Sequence, residues 1–64
     1  MKSLLVFIPV FNEEILIKKT ILSIPKTING YRTEILIIDD GSTDKSYSIY
    51  KKIKSVKYII RKSK

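Results

Sequence analysis

The chain contains no cysteine and no histidine. That excludes a disulfide framework and a zinc site built on Cys/His spacing, and it fits a reducing compartment. Glycine and proline occur only twice each. Neither a GxGxxG dinucleotide turn nor a P-loop can be written with glycines at Gly30 and Gly41 alone. Acid is scarce as well: six Asp and Glu stand against thirteen Lys and Arg, a formal net charge of +7. No acidic residue follows Asp44, whereas Lys51, Lys52, Lys54, Lys57, Arg61, Lys62 and Lys64 do. Such a balance suits nucleic acid or an anionic membrane surface. It also follows from AT-rich codon usage, and the spread of lysines along the chain favours that compositional reading. No run approaches the ~20 apolar residues of a membrane span. The opening MKSLLVFIPVF has the lysine and apolar run of a signal peptide. It is short, holds Pro9 and reaches Asn-Glu-Glu without a small-residue cleavage site, so no leader is expected.

What is there reads as one small α/β domain over 1–64. A chain of this size buries only ~60% of its unfolded surface, and its 44% hydrophobic content is that of an ordinary globular chain. Leu4 to Ile8 is an unbroken apolar run, the pattern of a parallel strand buried on both faces. Asn12 is a good N-cap, and Glu13 and Glu14 suit the positive end of a helix dipole. Ile17, Ile21 and Ile24 recur at helical spacing until Pro25, so a helix is expected over about Glu13–Ser23. Asn29-Gly30 marks a turn. Glu34–Ile38 is the second strand, and Thr43 or Asp44 caps a second helix through about Lys54, with Tyr47, Tyr50 and Ile53 as its apolar stripe. Val56–Ile60 is the third strand. The order β-α-β-α-β predicts a parallel half-sheet, because crossovers of this kind are right-handed.

Ligands of open α/β sheets bind beyond the carboxyl ends of the strands. The segments PVFNEE and DDGSTD follow the first and second strands, so parallel pairing brings them to one rim. The adjacent carboxylates Asp39 and Asp40 then line a crevice, where they can accept hydrogen bonds from base N–H groups or ribose hydroxyls. Strand alternation sends neighbours to opposite faces, so one aspartate is expected to meet a ligand and the other to tie down the turn. Gly41 relieves that turn, and Phe11 offers an apolar face to a base.

IPVFNEE followed by EILIIDDGSTDKS resembles the start of a family 2 glycosyltransferase with the GT-A (Rossmann-like) fold. The resemblance covers essentially the whole chain but only the beginning of that domain. It implies a truncated, nucleotide-binding half-domain that holds the nucleotide of a UDP- or GDP-linked sugar donor. It also implies that Pro9 and Phe11 lie beside the base, that Glu13 helps hold the nucleoside, and that Asp40 contacts the base as the second member of an Asp-Asp pair begun by Asp39. Phe11 stands where tyrosine is more usual, which removes a hydroxyl contact. The Asn-Glu-Glu form is similar to polyprenyl-phosphate sugar synthases. The Asp-x-Asp motif that holds Mg or Mn in such enzymes, and the general base of inverting members, have no counterpart in these residues. No metal ligand and no catalytic residue are therefore expected within the chain, and the 64 residues alone are expected not to be competent for transfer. The resemblance further implies a cytoplasmic protein, at or near the inner face of a membrane, with no nucleic-acid partner.

A calcium loop starting at Asp40 fails at its sixth and twelfth positions, Lys45 and Lys51. A response-regulator receiver would carry its acidic pair after the first strand. The alternative that remains is a small basic α/β binding module without catalysis, directed at nucleic acid or an anionic membrane surface.

Overall fold

The computed structural model describes residues 2–62. Four strands and two short helices follow one another as β1 (Ser3–Val10), α1 (Ile17–Leu22), β2 (Thr27–Ile28), β3 (Tyr31–Asp39), α2 (Ser46–Tyr50) and β4 (Val56–Arg61). β3 lies in the middle of the sheet. It pairs in parallel with β1, Val6 opposite Ile35 and Val10 opposite Asp39. On its other side it pairs in parallel with β4, Ile37 opposite Ile59 and Asp39 opposite Arg61, after an irregularity between Ile35 and Leu36. The three long strands thus run the same way, with the second between the first and third.

The wholly parallel half-sheet expected from the sequence needs correction, because the sheet is mixed. β2 pairs antiparallel with the start of β3, Ile28 opposite Tyr31. The cause lies in Asn29-Gly30, whose φ angles of 51° and 80° are both positive. Two left-handed residues in succession form the tight turn whose twist matches a β-hairpin, so the chain folds straight back on itself.

Both helices are shorter than their apolar spacing suggests. Asn12 does not cap α1: it sits at φ 49°, and the residue before the helix, Leu16, makes no side-chain cap. Residues 14–16 form a turn that leads into the helix, closed by the N–H groups of Leu16 and Ile17 donating to the Glu13 carbonyl. α2 gives way after Tyr50 to tighter i→i−3 bonds, Lys52 to Ile49 and Ile53 to Tyr50, as the chain turns toward β4. Asp44 does help to start α2, since its Oδ1 accepts from the Ser46 N–H at 2.9 Å.

The core lies on one side of the sheet. Ile8, Val10, Ile35 and Ile37 point toward the helices and are met by Ile17 and Ile21 of α1 and Tyr50 of α2. Ile17, Ile21, Ile35, Ile37 and Tyr50 are each at most 2% exposed. The expectation that the strands are buried on both faces does not hold. Leu5, Phe7, Ile38, Tyr58 and Ile60 form an open apolar face, Phe7 at 61% exposure. The strand order explains it. Two right-handed crossovers that step in the same direction across a sheet put both helices on the same side.

Candidate functional site

The rim forms where β1 and β3 end side by side. The Asp40 N–H donates to the Val10 carbonyl at 2.9 Å, which carries the pairing one residue past the strands. Two loops then run on together, residues 11–14 after β1 and residues 40–45 after β3. They are tied by side chains whose partners lie about thirty residues away in sequence. The Asn12 side-chain oxygen accepts from the Thr43 N–H at 2.8 Å and the Asp44 N–H at 3.3 Å. The Asn12 N–H donates to Ser42 Oγ at 2.9 Å, and the Glu13 N–H to Ser46 Oγ at 2.8 Å. The Glu14 N–H donates to Asp44 Oδ2 at 3.2 Å. Short polar side chains thus take up backbone donors that the loops would otherwise leave unsatisfied.

Within this frame the two aspartates part company. Asp39 points to the helix side and is 1% exposed. Its Oδ1 accepts from the Ser42 N–H at 2.8 Å, and its Oδ2 accepts from the Tyr50 hydroxyl at 2.6 Å. Arg61 Nε stands 3.9 Å from Oδ2 and rests its guanidinium on the Tyr47 ring, 4.0 Å from the centroid. Burial alone would raise the Asp39 pKa, but the Tyr50 and Ser42 hydrogen bonds and the Arg61 charge outweigh it, and the net shift is downward. Asp39 therefore stays a carboxylate inside the fold and holds the turn through Ser42. Gly41, at φ 89°, supplies the left-handed step that turn requires.

Asp40 points outward, with 68% of its side chain exposed and Lys62 Nζ 3.2 Å from its Oδ1. An exposed pair of this kind is worth ~0–1 kcal/mol and yields easily to a better partner. Pro9 is exposed opposite Ile38, on the open face of the sheet. Phe11 is 49% exposed at the start of the first loop. Glu13 lines a separate depression of about 540 Å³ with Glu14, Leu16 and Asp44, which Pro9, Phe11, Asp39 and Asp40 do not reach. Pro9, Phe11 and Asp40 are thus each exposed near the ends of β1 and β3, Asp39 is buried beneath, and Glu13 lines the depression beside Asp44.

A model of glycosyl transferase family 2 matches residues 5–64. The chain belongs to that family. No curated protein matches it, and no solved structure does.

Glycosyl transferase family 2 is the source of the expectation that a divalent metal sits on an Asp-x-Asp motif. The described residues do not fit such an ion. No group of three or more carboxylates, histidines or cysteines gathers among them. Asp39 and Asp44 already accept from N–H and O–H donors, and Asp40 faces a lysine ammonium. Among the described residues no helix is long and apolar enough to cross a membrane.

Sequence reasoning missed the residues that build the rim. Asn12 reads as a helix cap, Ser42 as a turn residue and Ser46 as part of the second helix. Tyr50 and Arg61 read as packing and as tail charge. The run of short hydrogen-bonding side chains in DDGSTDKS is the one local signal for the network.

Proposed function

We propose that the rim binds the nucleotide of a sugar-nucleotide donor, UDP- or GDP-linked, in a cytoplasmic protein that works at the inner face of a membrane. The observation that carries the reading is the division of labour between Asp39 and Asp40. One carboxylate is buried and satisfied, and it fixes the turn that presents the other to solvent at the end of the sheet. In this reading Asp40 accepts an N–H of the base, and Pro9 and Phe11 give the base an apolar wall. Glu13 accepts a ribose hydroxyl from the other side of the rim. Asp39 acts by positioning. The family's sugar transfer needs charge stabilisation on the leaving diphosphate. No described cluster of side chains at the rim supplies it, and in this reading the 64-residue chain binds without transferring.

The test is titration of the chain with UDP and with GDP, followed by amide NMR. Weak binding is expected, centred on residues 9–13 and 39–41. Asp40→Asn puts a neutral amide opposite the base N–H, and the lost charge-assisted hydrogen bond lowers affinity roughly ten- to a hundredfold. Equal affinity in parent and variant removes Asp40 from the site. Sugar transfer by the purified chain from a nucleotide donor overturns the reading of an inactive binder.

A further inference from the structure

Charge is distributed unevenly along the strand axis. Five of the six acidic residues, Glu13, Glu14, Asp39, Asp40 and Asp44, lie at or beyond the C-terminal ends of β1 and β3. The opposite end, where the parallel strands begin, carries Lys2, Lys26, Arg32, Lys54 and Lys57, with Glu34 as its one acidic neighbour among the described residues. Lys26, Arg32 and Lys54 line a single groove of about 460 Å³, whose apolar floor includes Ile24 and Ile35. All three are exposed, and none takes part in an ion pair among the described residues. The backbone that carries them is well held. The Arg32 N–H donates to the Lys2 carbonyl and the Thr33 N–H to the Lys26 carbonyl, both at 2.9 Å. Tyr31, 40% exposed, stands beside Arg32 at the hairpin turn.

Three cations held around one groove repel each other, and an anion placed among them relieves that repulsion. A phenol ring beside such cations suits the boundary between lipid headgroups and water. A single-stranded nucleic acid would instead call for aromatic platforms in the groove, and its lining contains none. We propose that this groove docks the protein on the phosphate headgroups of an anionic phospholipid bilayer, through Lys26, Arg32 and Lys54. Docked this way, the acidic rim points away from the membrane and keeps its access to water. The proposal specifies the contact behind the membrane location suggested above, and it is independent of nucleotide binding.

The full chain is mixed, without nucleotide, with vesicles of phosphatidylcholine alone or of phosphatidylcholine with phosphatidylglycerol, and bound protein is measured by flotation. Binding to the anionic vesicles only is expected, weakening as salt is added. Each lysine near an anionic surface contributes about fivefold to partitioning. The double variant Lys26→Glu/Lys54→Glu should therefore lose at least about twenty-five-fold. Lys18→Glu/Lys45→Glu changes the net charge equally at residues outside the groove and should lose far less. Equal losses in the two variants, no preference of the parent for anionic vesicles, or tighter binding to a single-stranded oligonucleotide overturns the proposal. Should the first variant not fold, amide broadening of the parent by the same vesicles decides. Broadening is expected at Lys26–Arg32 and Lys54–Lys57, and broadening centred on Asn12–Glu14 rules the groove out. A failure here leaves the nucleotide titration untouched, and the reverse holds too.

Discussion

The Tyr50 hydroxyl donates to Asp39 Oδ2 across 2.6 Å, in the layer between α2 and the sheet. Tyr50→Phe keeps the ring and its edge contact with Tyr47, whose centroid is 5.5 Å away. It takes the hydroxyl donor away from Oδ2 of a buried carboxylate and leaves Arg61 Nε 3.9 Å from that oxygen. Loss of a hydrogen bond to a buried charge costs about 1.5–3 kcal/mol. Urea denaturation of the parent and Tyr50→Phe should show a loss of that size. A difference under about 0.5 kcal/mol would mean that Arg61 or water takes over.

The same pair sets the pH limits of stability. Asp39 and Asp44 both have pKa values below the usual carboxylate range. Burial works against this, and the hydrogen bonds from Tyr50 and Ser42 to Asp39, and from Ser46 and Glu14 to Asp44, overcome it. The unfolded chain then binds protons more tightly, so the stabilisation is present above about pH 4 and is lost as pH falls through the depressed folded values. Tyr50 shifts the other way. Burial, then the Asp39 hydrogen bond and charge, raise its pKa. Its contribution is whole below about pH 10 and fades as pH climbs toward the raised value. Thermal melts across pH should fall off at both ends, and Tyr50→Phe should remove the alkaline decline.

Asn12 does two jobs, and substitutions separate them. Its side chain staples the two loops through Thr43 and Asp44, and its backbone sits at φ 49°. Asn12→Gly loses the staple but accepts the conformation. Asn12→Ala loses the staple and also takes on left-handed strain of about 1–2 kcal/mol. Chemical denaturation should rank the parent above Asn12→Gly and Asn12→Ala last. Nucleotide affinity should drop in both, because the loop bearing Phe11 loses its side-chain staple to the loop bearing Asp40 and keeps only the bonds donated by backbone N–H groups. Unchanged affinity in Asn12→Gly would show that the staple serves stability alone.

At Gly30 the backbone conformation can be tested without a clash. Its φ is 80°, and an added Cβ would meet nothing within 4 Å. Gly30→Ala should therefore destabilise by about 1 kcal/mol through conformation only. Asn29→Gly should be close to neutral, since glycine takes φ 51° freely. Equilibrium unfolding of the two variants checks the difference.

The three long strands and the rim were legible because Leu4–Ile8, Glu34–Ile38 and Val56–Ile60 alternate with helical spacing. The opposite orientations of Asp39 and Asp40 follow from strand alternation, which assigns neighbours to opposite faces. That rule says which residues share a face, not what covers it. Leu5 and Phe7 read as buried, yet among the described residues no helix crosses over them. Asn29-Gly30 announced a turn, but the two-residue strand before it is too short to leave a pattern of its own. Asn12 was misread because helix capping is a local rule, whereas its true partners stand thirty-one and thirty-two residues on. The groove of Lys26, Arg32 and Lys54 is likewise assembled by pairing and goes unseen in a chain where lysine is everywhere.

The open face of the sheet also has a calorimetric signature. Heat capacity rises on unfolding because apolar groups become hydrated, typically by about 12–15 cal/mol/K per residue. Leu5, Phe7, Tyr58 and Ile60 are already 43%, 61%, 51% and 58% exposed in the native chain, so they have less left to contribute. The increment per residue should fall below that range. The curve of stability against temperature then flattens, the melting transition broadens, and cooling toward freezing weakens the fold less than it would a chain whose sheet is covered on both sides.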